Sequence, residues 1–497
     1  MSKNSNLYAY SSFITALNGR FGGYFSKDRK HCIDDLTDIS GTGNQLAKFT
    51  LAVTILVSLF AVLSKTREMS DFYQSLFSSS SGRVYLLMGK TFFLVYTSVF
   101  FWRLYLVRIY KPTVACTDDE LASCTVIVPA YNEGRQVLHT LRSVVRSDIP
   151  AEKLQIIAVD DGSRDDTWFW IQKAVSQFPG KIQAIRLDKN SGKKQALYDG
   201  FMQSTGDIFV TIDSDSLIES HTIRRLISAF SKEQNVGAVA GSVRVLNLHQ
   251  GLIPRLLDIA FAYSFDFYRA SQSQVDSVFC TPGALSAYLR KPLMNNLDNW
   301  MKQTFFGQLS TIGEDRAMTN FILKDGYKVK FQSDAIVYTN VPVRYQQLCK
   351  MLLRWARSNI RENLFMATFI FKKFRDSNRL GAQINFITSM LDTAIPRLLV
   401  TLAVLCAFMR PDLVAAQLMI GALIATFVQG AFYYFRRKST DAIWAFTYSL
   451  FAAVALSWIA PYAILTAKNG KWLTRDIIEK AEKKEPILFM PNTGVCS

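Results

Sequence analysis

The sequence predicts an α/β domain embedded between transmembrane α-helices. Two observations carry that reading. Apolar residues make up 49% of the chain but gather towards its two ends. From about 120 to 343, by contrast, short apolar runs alternate with amphipathic stretches. The first pattern is that of membrane spans, and the second is that of strands and covering helices.

The length of 497 residues accommodates two or three domains. The net charge of +17, from 57 Lys and Arg against 40 Asp and Glu, has two ordinary sources. Cytoplasmic flanks of membrane helices collect basic residues, and an anionic substrate favours a basic cleft. The basic residues are scattered and form no nucleic-acid-binding motif, so no nucleic-acid partner is expected. Seven widely spaced cysteines, with no C-x-x-C pair, indicate neither zinc nor a disulfide framework and fit a reduced cytoplasmic setting. The polar N-terminus lacks the charged n-region and short apolar core of a cleavable secretion signal.

Residues 1–45 read as a polar cytoplasmic extension. Residues 46–112 read as a transmembrane hairpin, from the runs Phe49–Ser64 and Val84–Ile109. Lys90, inside the second run, can snorkel to the interface. Basic residues before the first span and after the second place both ends of the hairpin in the cytoplasm. Residues 113–343 form the α/β domain. Cys124–Pro129, Gln155–Val159, Ile182–Leu187 and Ile208–Ile212 are its expected buried strands, with helices over Gln136–Ser147 and Asp166–Phe178. This alternation predicts a mostly parallel sheet with its chemistry at the carboxyl ends of the strands.

Residues 344–380 have the composition of amphipathic interfacial helices, with Arg344, Lys350, Arg354, Arg357 and Arg361 along one side. Residues 381–467 hold three hydrophobic runs, near 384–409, 413–435 and 441–467, expected to be C-terminal transmembrane helices. Asp392, Pro396 and Arg397 interrupt the first run. The charged pair reads either as a channel-facing pair or as an ordinary interfacial one. Two spans plus three put the C-terminus outside, whereas the basic tail at 468–497 favours the inside. Either a further crossing or a failure of the charge rule reconciles them.

Seven short stretches carry the chemistry. Thr125–Glu133 (TVIVPAYNE) is a strand running into a loop, and Val159–Ser163 (VDDGS) is a second strand end with paired carboxylates. Asn190–Lys194 (NSGKK) sets two lysines beside a glycine ahead of a helix. That suits a diphosphate through charge and close backbone approach, although Lys193 and Lys194 alone also read as surface charge. Thr211–Ser216 (TIDSDS) holds a D-x-D element after an apolar strand. Two such carboxylates can hold one hard divalent ion at a diphosphate, and the element gains weight from the Asp-Asp-Gly strand some fifty residues upstream. Phe279–Arg290 contains Cys280, which reads equally as an acceptor-site lining residue or as core. Gly313–Arg316 (GEDR) reads as an acidic pair for proton transfer or as a helix cap. Lys350–Asn363 holds the Arg354-Trp355 pair just before the C-terminal spans.

Taken in this order, the stretches resemble the processive inverting glycosyltransferases of family 2: hyaluronan synthases, rhizobial chitooligosaccharide synthases and, more distantly, cellulose synthases. The resemblance spans roughly residues 85–475 and implies a GT-A-like glycosyltransferase domain. It implies that Tyr131 and Glu133 hold the uridine and that Asp160 or Asp161 bonds the uracil or ribose. Lys193 and Lys194 would then serve the diphosphate, Asp215 would be the principal ligand of Mg²⁺ or Mn²⁺, and Asp213 would sit near the ribose or the metal. Asp315 would be the catalytic base, with Glu314 placing the acceptor or the base. Arg354 would contact the diphosphate, with Arg357 on the same donor side, and Trp355 would stack under the acceptor sugar beside Cys280. Met351 stands where the family's motif usually has Gln, and Pro282 and Gly283 are in inverted order. Trp472–Arg475 (WLTR) resembles a C-terminal element of some relatives.

The implied function is processive synthesis of a β-linked polysaccharide from UDP-sugars, N-acetylglucosamine-containing and of hyaluronan or chitin type, with translocation across the membrane. The expected partners are the UDP-sugar donor, the nascent polysaccharide and the lipid bilayer, with accessory export subunits left open. The expected location is the plasma membrane, multi-pass, with the catalytic domain cytoplasmic. Other readings are a synthase of poly-N-acetylglucosamine, β-glucan or mannuronan, a non-processive lipid-linked sugar transferase, or a binding or export subunit with a dead enzyme fold.

Overall fold

The computed structural model describes residues 42–391 and 410–469. The expectations for most of the N-terminal extension, for Asp392, Pro396 and Arg397, for Trp472–Arg475 and for nearly all of the basic tail lie outside the described residues.

The domain is built on strands that read as unbroken apolar runs. All seven residues of β1 (Cys124–Ala130) and all five of β4 (Ile208–Ile212) are buried. Helices cover both faces of the sheet, so a period-2 alternation is not needed. β2 (Leu154–Asp160) and β3 (Ile182–Arg186) complete the parallel half. The helices Gln136–Val145, Thr167–Gln177 and Lys193–Met202 supply the crossovers. β1 and β2 run in register from Cys124 opposite Leu154 to Ala130 opposite Asp160. Their loops therefore emerge side by side.

The sheet has eight strands in the order β3-β2-β1-β4-β7-β6-β10-β5. β5 is Ser216–Ile218, β6 Val236–Val245, β7 Leu285–Leu289 and β10 Lys328–Thr339; β8 and β9 form a separate two-stranded hairpin, Thr304–Phe305 with Gln308–Leu309. β6 and β10 pair in parallel, but β7 is antiparallel to both β4 and β6, and β5 is antiparallel to β10. The sheet is therefore mostly parallel, as expected, but mixed: β7 and β5 run against the other six strands. The physical reason is the route of the chain. It enters β7 from the Cys280–Gly283 loop, beside the carboxyl ends of β1 and β4, and so runs back across the sheet.

Among the described residues, three helices are long and apolar enough to cross a membrane: Asn44–Ser64, Gly82–Ile109 and Pro411–Arg437. The pair Thr440–Ala455 and Ile459–Leu465, bent by 40°, makes a fourth if it is one span. These agree with four of the five expected runs; the first C-terminal run lies largely outside the described residues. Phe60, Phe93 and Phe427 stand more than 70% exposed on the three helices, a placement suited to lipid rather than water.

Helix Ser80–Ile109 joins the domain through buried Arg103. Its guanidinium donates to Ser271 Oγ, Asn385 Oδ1 and Thr388 Oγ1 at 3.3, 3.1 and 2.8 Å. Helix Tyr345–Ala367 carries the Arg-Trp pair. Its basic side does not simply face outward: Arg357 and Arg361 are buried. Arg357 bonds Thr466 Oγ1, and Arg361 Nε donates to the Ala467 carbonyl at 2.8 Å. Long cationic stems there tie the helix to the end of the bent pair.

Candidate active site

The site is assembled at the carboxyl ends of β1, β2 and β4, and each strand delivers a loop that the next loop braces. After β1, Asn132 and Gly134 turn the backbone through the left-handed region, at φ 52° and 54°. Asn132 N donates to Ser163 Oγ at 3.0 Å, and Glu133 N and Gly134 N both donate to Thr167 Oγ1 at 2.8 Å. Tyr131 is buried at the strand end. The Tyr131–Glu133 loop is thus held against the Asp-Asp-Gly loop by backbone donors.

The two aspartates after β2 do different work. Asp160 Oδ1 accepts from Ser163 N at 3.1 Å, closing its own turn, and Oδ2 lies 3.4 Å from Arg186 Nε. Asp161 reaches across the sheet: its carboxylate accepts from Ser191 N at 2.7 Å and from Gly192 N at 2.9 Å. A carboxylate at that position also answers the positive end of helix Lys193–Met202. The backbone amides expected to approach a diphosphate are therefore already bonded to Asp161.

Lys193 and Lys194 part company. Lys193 forms a very close ion pair with Asp213 and lies 3.4 Å from Glu314. Burial opposes its charge, but Asp213, Glu314 and Asp315 outweigh burial and hold its ammonium above the ordinary lysine range. Lys194 turns away: its Nζ donates to the Ser310 carbonyl at 3.2 Å and lies 5.1 Å from the Trp300 ring centroid. Lys194 thus meets Ser310 and Trp300 directly rather than Asp213, and Arg357 meets Thr466.

Asp213 and Asp215 stand at the end of β4. Burial, reinforced by Asp213 and opposed by Lys193, pushes the Asp215 carboxyl up to about 6. Two oxygen-donor groups whose charges repel suit a hard dication. Among the described residues, no group of three or more His, Cys, Asp or Glu is placed so that it could hold a metal ion by itself. The residues thus fit a cation whose remaining ligands come from substrate oxygens and water, as Mg²⁺ favours.

Asp315 opens helix Glu314–Lys324, after Gly313 in the left-handed conformation at φ 78°. Its Oδ2 accepts from Gly283 N at 3.0 Å, and Oδ1 accepts from Arg316 N at 2.7 Å. Cys280 Sγ is 3.9 Å from Oδ2. Burial raises the Asp315 carboxyl, Glu314 adds to that and Lys193 opposes it. Cys280 is pushed up to about 12, by burial first and then by Asp315, so it is a thiol rather than a thiolate. Glu314 is buried, and its carbonyl accepts from Trp300 Nε1 at 2.9 Å.

Arg354 and Trp355 lie one turn before Ser358 on the helix that packs against Gly313. Trp355 is 39% exposed, with its ring centroid 6.3 Å from that of Phe261. Sequence reasoning missed Gly283 as a donor to Asp315, Trp300 behind Glu314, and Ser358 against Gly313. The Thr-Pro-Gly run was the available signal for the first. Nothing in the sequence pointed to the other two.

A family model described as glycosyltransferase-like family 2 matches residues 122–358. An N-acetylglucosaminyltransferase of Mesorhizobium japonicum is 30% identical over 376 residues, covering 74% of this chain and 86% of that protein. A hyaluronan synthase of Streptococcus pyogenes is 28% identical over 409 residues, covering 80% and 92%. A solved mannosyltransferase of Pyrobaculum calidifontis, in complex with GDP-Man and Mn²⁺, aligns with a TM-score of 0.47 at 22% identity, over 73% of this chain and 98% of that one. The chain belongs to glycosyltransferase family 2, with a GT-A-like α/β domain, and is a glycosyltransferase.

Proposed function

We propose that this chain is a processive, inverting membrane glycosyltransferase. It polymerises an N-acetylglucosamine-containing β-linked polysaccharide, of chitin or hyaluronan type, from UDP-sugars and passes it across the membrane. The observation that carries the reading is the setting of Asp315. Its carboxylate is gripped by Gly283 N at 3.0 Å, and its helix starts at a glycine packed directly on the Arg-Trp helix. The relatives named above support the sugar class.

In this mechanism the acceptor hydroxyl oxygen attacks the donor's anomeric carbon. A new C–O bond forms there as the bond to the diphosphate breaks. The hydroxyl proton passes to Asp315, whose raised affinity for protons suits it as a base, and the electron pair leaves with UDP. Lys193 and Arg354 stabilise the charge that develops on the leaving diphosphate. Mg²⁺ or Mn²⁺, held by Asp215 with Asp213, would supply further positive charge there when bound. Tyr131 and Glu133 hold the uridine, with Asp160 and Asp161 shaping the loop beside it. Trp355 forms the acceptor platform, Cys280 lines the acceptor site beside Asp315, and Glu314 places Lys193. The three or four spans among the described residues fit a multi-pass protein in the plasma membrane, with the catalytic domain in the cytoplasm where UDP-sugars are made.

The test is UDP release by the purified protein in nanodiscs with Mn²⁺, over single UDP-sugars and pairs, with product digested by linkage-specific hydrolases. Polymer from UDP-GlcNAc alone establishes a chitin-type or poly-N-acetylglucosamine enzyme, and the hydrolases separate the two. Polymer only with UDP-GlcA added establishes a hyaluronan type. Polymer from another donor, or a single transfer to lipid, overturns the reading.

A further inference from the structure

A run of five buried hydroxyl groups crosses the domain from the D-x-D strand to the helix of Asp315. Thr211, Ser286, Tyr288, Thr281 and Thr319 are each at most 4% exposed. Thr211 on β4 stands directly opposite Ser286 on β7, with their oxygens 2.7 Å apart. Ser286 Oγ is 3.2 Å from Tyr288 OH, on the same face of β7. Tyr288 OH is 2.8 Å from Thr281 Oγ1, which is 2.8 Å from Thr319 Oγ1. Thr319 Oγ1 lies 2.8 Å from the Asp315 carbonyl oxygen.

The last link gives the whole chain a direction. A carbonyl only accepts, so Thr319 donates its single proton to Asp315 O. Thr319 must then accept from Thr281, Thr281 from Tyr288, Tyr288 from Ser286, and Ser286 from Thr211. Every proton points towards Asp315, an arrangement in which each bond polarises the next. Burial pushes the Tyr288 phenol well above its ordinary range, so the middle donor keeps its proton at any working pH. The chain also fixes the Thr281–Gly283 turn, and Gly283 N is the donor that grips Asp315 Oδ2. Tyr288 and Gly283 line one small pocket with Lys193, Glu314 and Asp315.

We propose that this hydroxyl chain, through Tyr288 and Thr281, is a positioning device for Asp315. It locks the residue's carbonyl through Thr319 and, through Thr281, holds the turn that carries the N–H donor of its carboxylate. The inference rests on the reading of Asp315 as the base. Glu314 and Arg316 from its own helix, Lys193 from helix Lys193–Met202, and Arg269, Cys280 and Tyr288 from the segments packed against it are the charged or titratable groups that act on this carboxyl.

The test measures kcat, donor KM and the pH profile of kcat for Tyr288→Phe, Thr281→Val, Thr281→Ser and Asp315→Asn, with UDP binding as the check of folding. Loosening Gly283 N–H removes a bond that favours the charged carboxylate. The acidic limb of kcat should therefore move to higher pH. Tyr288→Phe and Thr281→Val are expected to lose about tenfold in kcat, part of what a general base contributes, with donor KM within about twofold. Thr281→Ser, which keeps the hydroxyl, should match the parent. If Tyr288→Phe fails to fold, the nearly isosteric Thr281→Val decides alone. Unchanged kcat and pH limb while Asp315→Asn is inactive overturns the positioning role and leaves the base assignment standing. So does a loss that follows UDP binding and thermal stability in proportion. Full synthesis by Asp315→Asn overturns the base assignment itself.

Discussion

A Cβ built on Gly313 would lie 1.7 Å from Ser358 Oγ. The helix that carries Arg354 and Trp355 therefore rests directly on the turn that launches Asp315. Only a glycine serves there, because Gly313 also sits at φ 78°, in the left-handed region that a side chain disfavours. Gly313→Ala is expected to cost at least about 1–3 kcal/mol from the backbone alone and to lose most polymer synthesis. Adding Ser358→Gly should recover the steric part and not the backbone part. Paired thermal melts and UDP-release assays on the single and double variants measure both.

Asp315→Asn should abolish synthesis, by the ~10²–10⁴ that a general base contributes, while donor binding stays intact. UDP-sugar binding and polymer yield measured on the same preparation separate the two effects.

Trp355 is an exposed aromatic in the middle of its helix. Trp355→Ala should weaken acceptor use, lengthening the lag or shortening the polymer, more than it slows hydrolytic release of UDP from the donor alone. Product sizing beside UDP release reads this directly, and equal loss of both activities would count against an acceptor platform.

Arg357 faces Thr466 Oγ1, at 3.1 and 2.9 Å from Nε and one terminal nitrogen. Its contribution is expected to be mechanical. Arg357→Ala should lose the stability of hydrogen bonds from a charged donor, about 1.5–3 kcal/mol. UDP affinity should stay within about twofold. A large loss of UDP affinity at unchanged melting temperature would restore Arg357 to the donor side.

Lys194 provides a test in pH. Burial lowers its ammonium from the ordinary 10.5 to about 8, against the raising effects of Glu314 and Glu362. The unfolded chain holds that proton up to its ordinary value. Between about pH 8 and 10.5 the unfolded state therefore binds more protons, and stability rises with pH. Below about 8 the group is charged in both states and the burial penalty is fully present. Lys194→Met should be more stable than the parent at pH 7 and should lose the rise on the alkaline side. Melting temperature against pH measures it.

The strands β1, β2 and β4 were readable because parallel strands covered on both faces show as unbroken apolar runs, and their positions agree with the structure to within a residue or so. The carboxylates that follow them were readable because strand ends in such sheets are where ligands meet the chain. β7 was harder. A five-residue strand, Leu-Ser-Ala-Tyr-Leu, looks the same running up the sheet or down it, and its direction depends on where Cys280–Gly283 delivers the chain. Lys193 and Lys194 are adjacent in sequence, yet one meets Asp213 and the other Trp300. Their helix turns about 100° between them, and only its packing against β1 and β2 says which face is the site. The same holds along helix Tyr345–Ala367 and its N-cap Arg344, where five basic residues read as one stripe and two of them, Arg357 and Arg361, are buried on Thr466 and Ala467.

By itself the sequence determined the layout: apolar runs set out the spans, and alternating segments between them set out an α/β domain with carboxylates at its strand ends. These are local properties, written in the period and composition of short stretches. The tertiary structure decided which of those groups meet. Asp161 takes the amides of Ser191 and Gly192, Gly283 grips Asp315, and Gly313 receives Ser358, in each case across at least thirty residues of chain. Such pairings follow from how whole elements pack, and no local pattern encodes them.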